Sequence, residues 1–145
     1  MEPDDLIANE LGYDILGRVR SQALRSTIQS YKTGAVIFDK KGNVVSSGTS
    51  HLPYKFSIGE KRSVHAEDHA LDKISHISDK SNLSIVIYTL NWSGINHTTS
   101  SRPCPPCAQR LLRAGLRHVY YAERDNAGGW CMNREKPARL VKRSR

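Results

Sequence analysis

Apolar residues recur along this chain at two different spacings, and the spacing switches several times. Leu11, Ile15, Val19 and Ala23 fall four apart, which lines one face of a helix and predicts helical structure over residues 5–30. Gly12 and Gly17 lie inside that window, where glycine penalises a helix. Val36–Asp39 and Val44–Ser47 flank Lys40-Lys41-Gly42-Asn43, a hairpin turn signal. From Val64 to Ile77 the apolar positions Ala66, Ala70, Ile74 and Ile77 step by three and four, predicting a second helix. Leu83–Leu90 is a β-branched-rich, nearly unbroken apolar run, the pattern of a strand covered on both faces. A third helix begins near Cys104, because Pro103, Pro105 and Pro106 are tolerated only in a first turn. Cys104, Cys107 and Leu111 share its face and Gly115 stops it. Arg117–Glu123 is a further strand. Strand–helix–strand from 83 to 123 is a crossover unit, so its two strands should be parallel and right-handed. The whole reads helix, hairpin, helix, strand, helix, strand and a basic tail, an α/β chain.

Two short segments on these elements carry chemistry: His65-Ala66-Glu67 and Pro103-Cys104-Pro105-Pro106-Cys107, with Cys104 37 residues after Glu67. Each lies at the start of a predicted helix. A His nitrogen and two Cys thiolates make three metal ligands, and three protein ligands with one open position is the catalytic form of a zinc site. Water in that position becomes a nucleophile near neutral pH. Glu67, two residues from His65, reaches that water without binding the metal. Helix N-termini favour thiolate over thiol at both Cys. Taken alone, C-x-x-C also fits a redox pair or half of a structural zinc knuckle, and H-x-E alone carries little. In this order the two read H-x-E…P-C-x-x-C, the signature of zinc nucleobase deaminases. His69 follows His65 by four residues, but Glu67 is at the wrong offset for H-E-x-x-H, and His69 is expected to stand outside the ligand set.

With those residues the chain resembles the cytidine and deoxycytidylate deaminase superfamily, the CMP/dCMP-type deaminase domain. Gly34–Gly48 resembles that family's first hairpin and Ala114–Tyr121 the strand after its second zinc helix, so the resemblance covers about residues 15–125. It implies a three-layer α/β/α sandwich around a mixed, about five-stranded sheet. It implies one Zn²⁺ held by His65, Cys104 and Cys107, with Glu67 moving protons. The implied reaction is hydrolytic deamination of a cytosine-type nucleoside or nucleotide to the uracil product and ammonia. A deaminase acting on a base in single-stranded nucleic acid or tRNA is the alternative, and a non-catalytic zinc module that binds nucleic acid or a partner is the third reading.

The chain departs from the family in two places. The family's hairpin commonly ends in Gly-x-Asn, whose Asn holds ribose or base; here it ends Gly48-Thr49-Ser50-His51. Ser50 has no amide's paired donor and acceptor, so either Ser50 or His51 serves, beside Ala66, or the substrate is held differently. Residues 91–102 form a long step without apolar periodicity. Trp92 and His97 there are placed to stack a base and Arg102 to meet a phosphate; the plainer reading is a solvated insertion with Trp92 packed as a lid.

At 145 residues the chain has the length of one domain, read as a deaminase domain over 1–125 and a basic C-terminal extension over 126–145. The net charge is +8, and Asn126–Arg145 alone carries +5, from six basic residues and Glu135. Such a segment tracks a phosphate backbone or simply solubilises the chain; Arg124–Trp130 resembles the loop after the last core strand in the tRNA-editing branch. No stretch reads as a transmembrane span or signal peptide, and three Cys, two of them assigned to zinc, exclude a disulfide scaffold. Cys131 reads as a small hydrophobe or, alternatively, a further metal ligand. A cytoplasmic homo-oligomer with a small-molecule substrate, without membrane attachment, is expected.

Overall fold

The computed structural model describes residues 10–28, 31–51, 64–91, 97–124 and 130–143. Its elements in chain order are α1 (Tyr13–Leu24), β1 (Tyr31–Phe38), β2 (Val44–Thr49), α2 (Ala66–Asp72), β3 (Ser84–Asn91), β4 (His97–Thr99), α3 (Pro105–Ala114), β5 (Val119–Arg124), β6 (Trp130–Glu135) and α4 (Pro137–Arg143). Five strands lie in the order β2-β1-β3-β5-β6, and β4 pairs beside them on the end of β3. β1 runs antiparallel to β2 and β3, β3 parallel to β5, and β5 antiparallel to β6. The sheet is therefore mixed, with helices on both faces.

Alternation along the strands divides two cores. Ala35 and Ile37 of β1 face one way with Ile85, Ile87 and Tyr121, and they pack under α2, α3 and α4 through Ala66, Ala70, Ala108, Leu111 and Leu140. Val36 and Phe38 face the other way with Val86 and Tyr120, against Leu11 and against Ile15 and Val19 of α1. Burying β3 on both faces accounts for its unbroken apolar run. Two close approaches set the layer spacing. A Cβ at Gly34 would stand 2.4 Å from Ala23 N and 2.5 Å from Val19 O of α1, and one at Gly48 would stand 2.4 Å from Ala66 O and 2.6 Å from Ala70 N of α2. Glycine is needed where backbone meets backbone so closely.

Several elements differ from the periodicity. The predicted first helix is interrupted at Gly12 (φ +86), with residues 10–11 helical before it and Tyr13–Leu24 after it, and it ends before Arg25. The second ends at Asp72; Ile74 and Ile77 stay on the core through i→i+3 turns to Leu71 and Ile74. The step from 91 to 102 contains β4, whose three residues pair with Thr89–Asn91 and are too short to show a period. The stretch read as a basic tail is built into the fold: β6 extends the sheet and Leu140 of α4 is fully buried. Its basic residues are interleaved with these paired and buried positions, and charge masked the pattern. No helix among the described residues is long and apolar enough to cross a membrane.

Candidate active site

The edge of β3 that faces β5 changes partner partway along. Ile85–Ile87 pair with β5, and Thr89–Asn91 pair with β4. At this switch the chain passes from β4 toward α3, and Ser101 pins it there. The buried Ser101 hydroxyl donates to Ile87 O at 2.7 Å and accepts from Ala122 N–H at 2.7 Å, while Ser101 N–H donates to Ala122 O at 2.8 Å. Crevices at such switch points in α/β sheets are where ligands bind.

Both helix starts converge here. His65 is the N-cap of α2 and Cys104 the N-cap of α3, with Pro105 and Pro106 opening that helix. His65 Nδ1 lies 3.0 Å from Cys107 Sγ and 3.9 Å from Cys104 Sγ. All three ligand-type atoms lie within 4.8 Å of one another, a grouping able to hold a metal ion. The donor set is the N/S type that suits zinc. The protein groups alone push the Cys107 thiol up, first through burial, then through the Glu67 charge and the hydrogen bond to Cys104. These effects outweigh the helix end that favours a thiolate. A divalent cation held by the three atoms would supply the missing positive charge, so the residues fit such a metal.

Glu67, in the first turn of α2, is 5% exposed. Burial raises its carboxyl above the usual range, opposed by its own backbone N–H, by the charge of His65 and by Cys107. His65, Glu67 and Cys104 line a cleft of about 340 Å³ together with Ala66, Ser50 and Arg102. That volume is in the range of small-molecule sites.

Ser50 lies in the cleft wall with its hydroxyl already engaged. It accepts from Thr33 N–H at 3.0 Å and pairs with Ser26 Oγ at 2.7 Å, while Ser26 Oγ donates to Ser50 O at 2.6 Å. One hydroxyl has one proton to give, and that of Ser50 goes to Ser26. His51 does not line the cleft. Its backbone exchanges hydrogen bonds with Val64, and its Nδ1 is 2.8 Å from Thr49 O with the ring edge-on to His69. His69 stands outside the metal-type group and accepts from Thr49 N–H at 3.1 Å. Cys131 is likewise apart, its thiol directed to Glu123 O. Trp92 lies outside the described residues, as does the side chain of His97. Sequence reasoning missed Tyr31, Thr33 and Thr89, which also line the cleft. Thr33 and Thr89 are register partners on β1 and β3 with hydroxyls 2.9 Å apart, a cross-strand pairing that no local pattern announces.

A family model described as the cytidine and deoxycytidylate deaminase zinc-binding region matches residues 14–123. The chain belongs to this family. Among solved structures, it is similar to a cytidine deaminase from Burkholderia pseudomallei at 14% identity and TM-score 0.61, covering 89% of this chain and 94% of that one. A dCMP deaminase from the cyanophage S-TIM5 aligns at 17% identity and TM-score 0.56, covering 99% and 94%. A cytidine deaminase from Mycobacterium leprae aligns at 15% and 0.54, covering 90% and 97%. No curated protein matches the chain. At these identities the structural likeness speaks for the cytidine deaminase-like fold. Within this zinc-binding family, the H-x-E and C-x-x-C motifs fall inside the matched residues.

Proposed function

We propose that this deaminase converts a cytosine-type nucleoside or nucleotide, of the cytidine or dCMP kind, to its uracil product with release of ammonia. One observation carries the reading: a buried carboxyl, Glu67, stands at a cleft beside the convergent His65, Cys104 and Cys107. Held by these three residues, one zinc ion would supply water of lowered proton affinity near neutral pH. Glu67 does the proton work. Its carboxylate takes a proton from the water that adds to C4 and delivers it to ring N3. The emptied carboxylate then takes the proton of the new C4 hydroxyl and passes it to the 4-amino nitrogen, so that C4=O forms as the C4–N bond breaks and ammonia leaves. Burial raises this carboxyl above the usual carboxylate range, which favours its taking up a proton.

Ala66, Thr33 and Thr89 would hold the ring and sugar, while Ser50 serves the wall through Ser26. A buried Glu67 argues against a non-catalytic zinc module, because an unused buried carboxyl is costly. Three free cysteines support a reducing, cytoplasmic setting. The test is ammonia release from cytidine, dCMP and a cytosine-containing oligonucleotide, with zinc measured in parallel. His65→Ala, Cys104→Ala and Cys107→Ala should each lose most of the zinc, and His69→Ala should keep it. Glu67→Gln should retain zinc and lose turnover by roughly 10²–10⁴-fold. Full zinc in Cys104→Ala, or near-normal turnover in Glu67→Gln, would defeat the assignment.

A further inference from the structure

We infer that Arg102 is the specificity residue of this cleft and binds the 5′-phosphate of a free mononucleotide. The inference rests on the deaminase reading for its substrate and on Arg102's own surroundings for its charge. Arg102 is two residues before Cys104, and it lines the cleft with His65 and Glu67. Its Nη2 is buried and has no hydrogen-bond partner among the described residues. Among the described residues the three ion pairs are Arg18–Asp14, Arg110–Asp68 and Arg134–Glu10, none of which involves it.

The neighbouring hydroxyls are spent elsewhere. Ser101 serves Ile87 and Ala122, and Ser50 serves Ser26 and Thr33. Because Ser101 is stapled across β3 and β5, the backbone leading into Arg102 is held at a fixed point. A positioned guanidinium with a buried donor lacking an acceptor leaves charge and hydrogen-bonding capacity for whatever enters the cleft. Its planar fork matches the oxygens of a phosphate. A nucleoside brings no anion; a 5′-mononucleotide brings one, attached to the sugar of the same base that Glu67 would serve.

The test compares dCMP, CMP, deoxycytidine and a cytosine-containing oligonucleotide in wild type, Arg102→Gln and Arg102→Lys, all zinc-loaded. Deamination kinetics and, separately, the shift in melting temperature produced by each ligand are the two readouts. Wild type should prefer the mononucleotides. Arg102→Gln should lower kcat/KM for them by about 10- to 100-fold, mainly through KM, as expected for one lost charge-assisted hydrogen bond. The loss on deoxycytidine should be far smaller than on the mononucleotides, and Arg102→Lys should recover part of the mononucleotide loss. Equal losses on deoxycytidine and dCMP, or no wild-type preference for the phosphate, would overturn the inference while deamination itself stands. Preference for the oligonucleotide over dCMP would also overturn it. Arg102-dependent stabilisation by dCMP without ammonia release would instead uphold the phosphate site and sink the deaminase reading.

Discussion

Asp68 and Arg110 form an ion pair that ties α2 to α3, the helices whose first turns bring His65 and Cys107 together. Both side chains keep access to water, with 25% and 50% of their surface exposed. Such a pair contributes little to global stability, about 1 kcal/mol or less. Its effect should fall on the geometry between the helices. Asp68→Asn and Arg110→Gln should each leave the denaturation midpoint almost unmoved and speed zinc loss to a chelator. The double variant should lose zinc no faster than either single one. Additive effects on the zinc-loss rate would mean the two residues act independently.

Gly48 controls the approach of the same helix to the sheet. An added Cβ would collide with the backbone at Ala66 and Ala70, which cannot yield as a flexible side chain does. Gly48→Ala should cost roughly 1–3 kcal/mol or more, as overpacking does, and should displace His65 and Glu67 enough to impair zinc retention. Gly17→Ala is the matched control, since nothing lies within 4 Å of its Cβ and it sits inside α1. That change should stabilise by about 0.5–1 kcal/mol. Equal melting temperatures for the two variants would show that the β2–α2 approach is not tight.

Much of this was legible before any coordinates. The convergence of His65, Cys104 and Cys107 was visible because they sit at helix starts, where Pro103, Pro105 and Pro106 mark the boundary and H-x-E fixes the spacing. The Leu11–Ala23 stripe and the Leu83–Leu90 run predicted two layers of the sandwich, because burial writes itself into periodicity. What stayed hidden depends on pairing across the sheet. The Thr33–Thr89 contact needs the β1–β3 register, and the spending of the Ser50 hydroxyl needs Ser26, which periodicity had assigned to a helix. The last strand and helix were masked by their charge: Arg134 and Glu135 themselves pair with Tyr120 and Val119 of β5, and the core-packed Leu140 and Val141 lie between Arg139 and Lys142.

Two histidines make stability depend on mild acid. His69 is lowered from 6.5 by burial and by Lys73, and protonating its Nδ1 would forfeit the hydrogen bond from Thr49 N–H. His118 is lowered by burial and by Arg117 and Arg134. The unfolded chain takes up these protons near pH 6.5, and the folded protein only at lower pH. Their contribution is therefore complete above 6.5 and is lost as pH falls from there through the folded-state values. Denaturation measured from pH 8 to pH 5 should show falling stability. The double variant His69→Gln/His118→Gln should have a shallower slope over the same range. Parallel slopes for the two proteins would assign the acid sensitivity to other groups.

The basic end of the molecule is set apart from the cleft. β5 reaches the cleft at Ala122, where Ser101 binds, whereas its opposite end at Val119 pairs with Glu135. The three steps from Val119 to Ala122 span roughly 10 Å. His118, Arg134, Lys136 and Arg139 line a separate groove at that far end, and Arg134 is already paired with both oxygens of Glu10 at 2.6 Å. Deleting the segment is a poor probe of its charge, because it removes Leu140 from the core; Leu140→Ala alone should cost roughly 2–5 kcal/mol. Neutralising Lys136, Arg139 and Lys142 to Gln keeps the fold and isolates the charge. For a free nucleotide, kcat/KM should be unchanged and insensitive to salt. For a polynucleotide substrate, the triple variant should bind more weakly, and the slope of log affinity against log salt should fall by about one unit per lost phosphate contact. A flattened salt slope with dCMP left unprocessed would move the reading to a nucleic-acid deaminase, with this groove as its track.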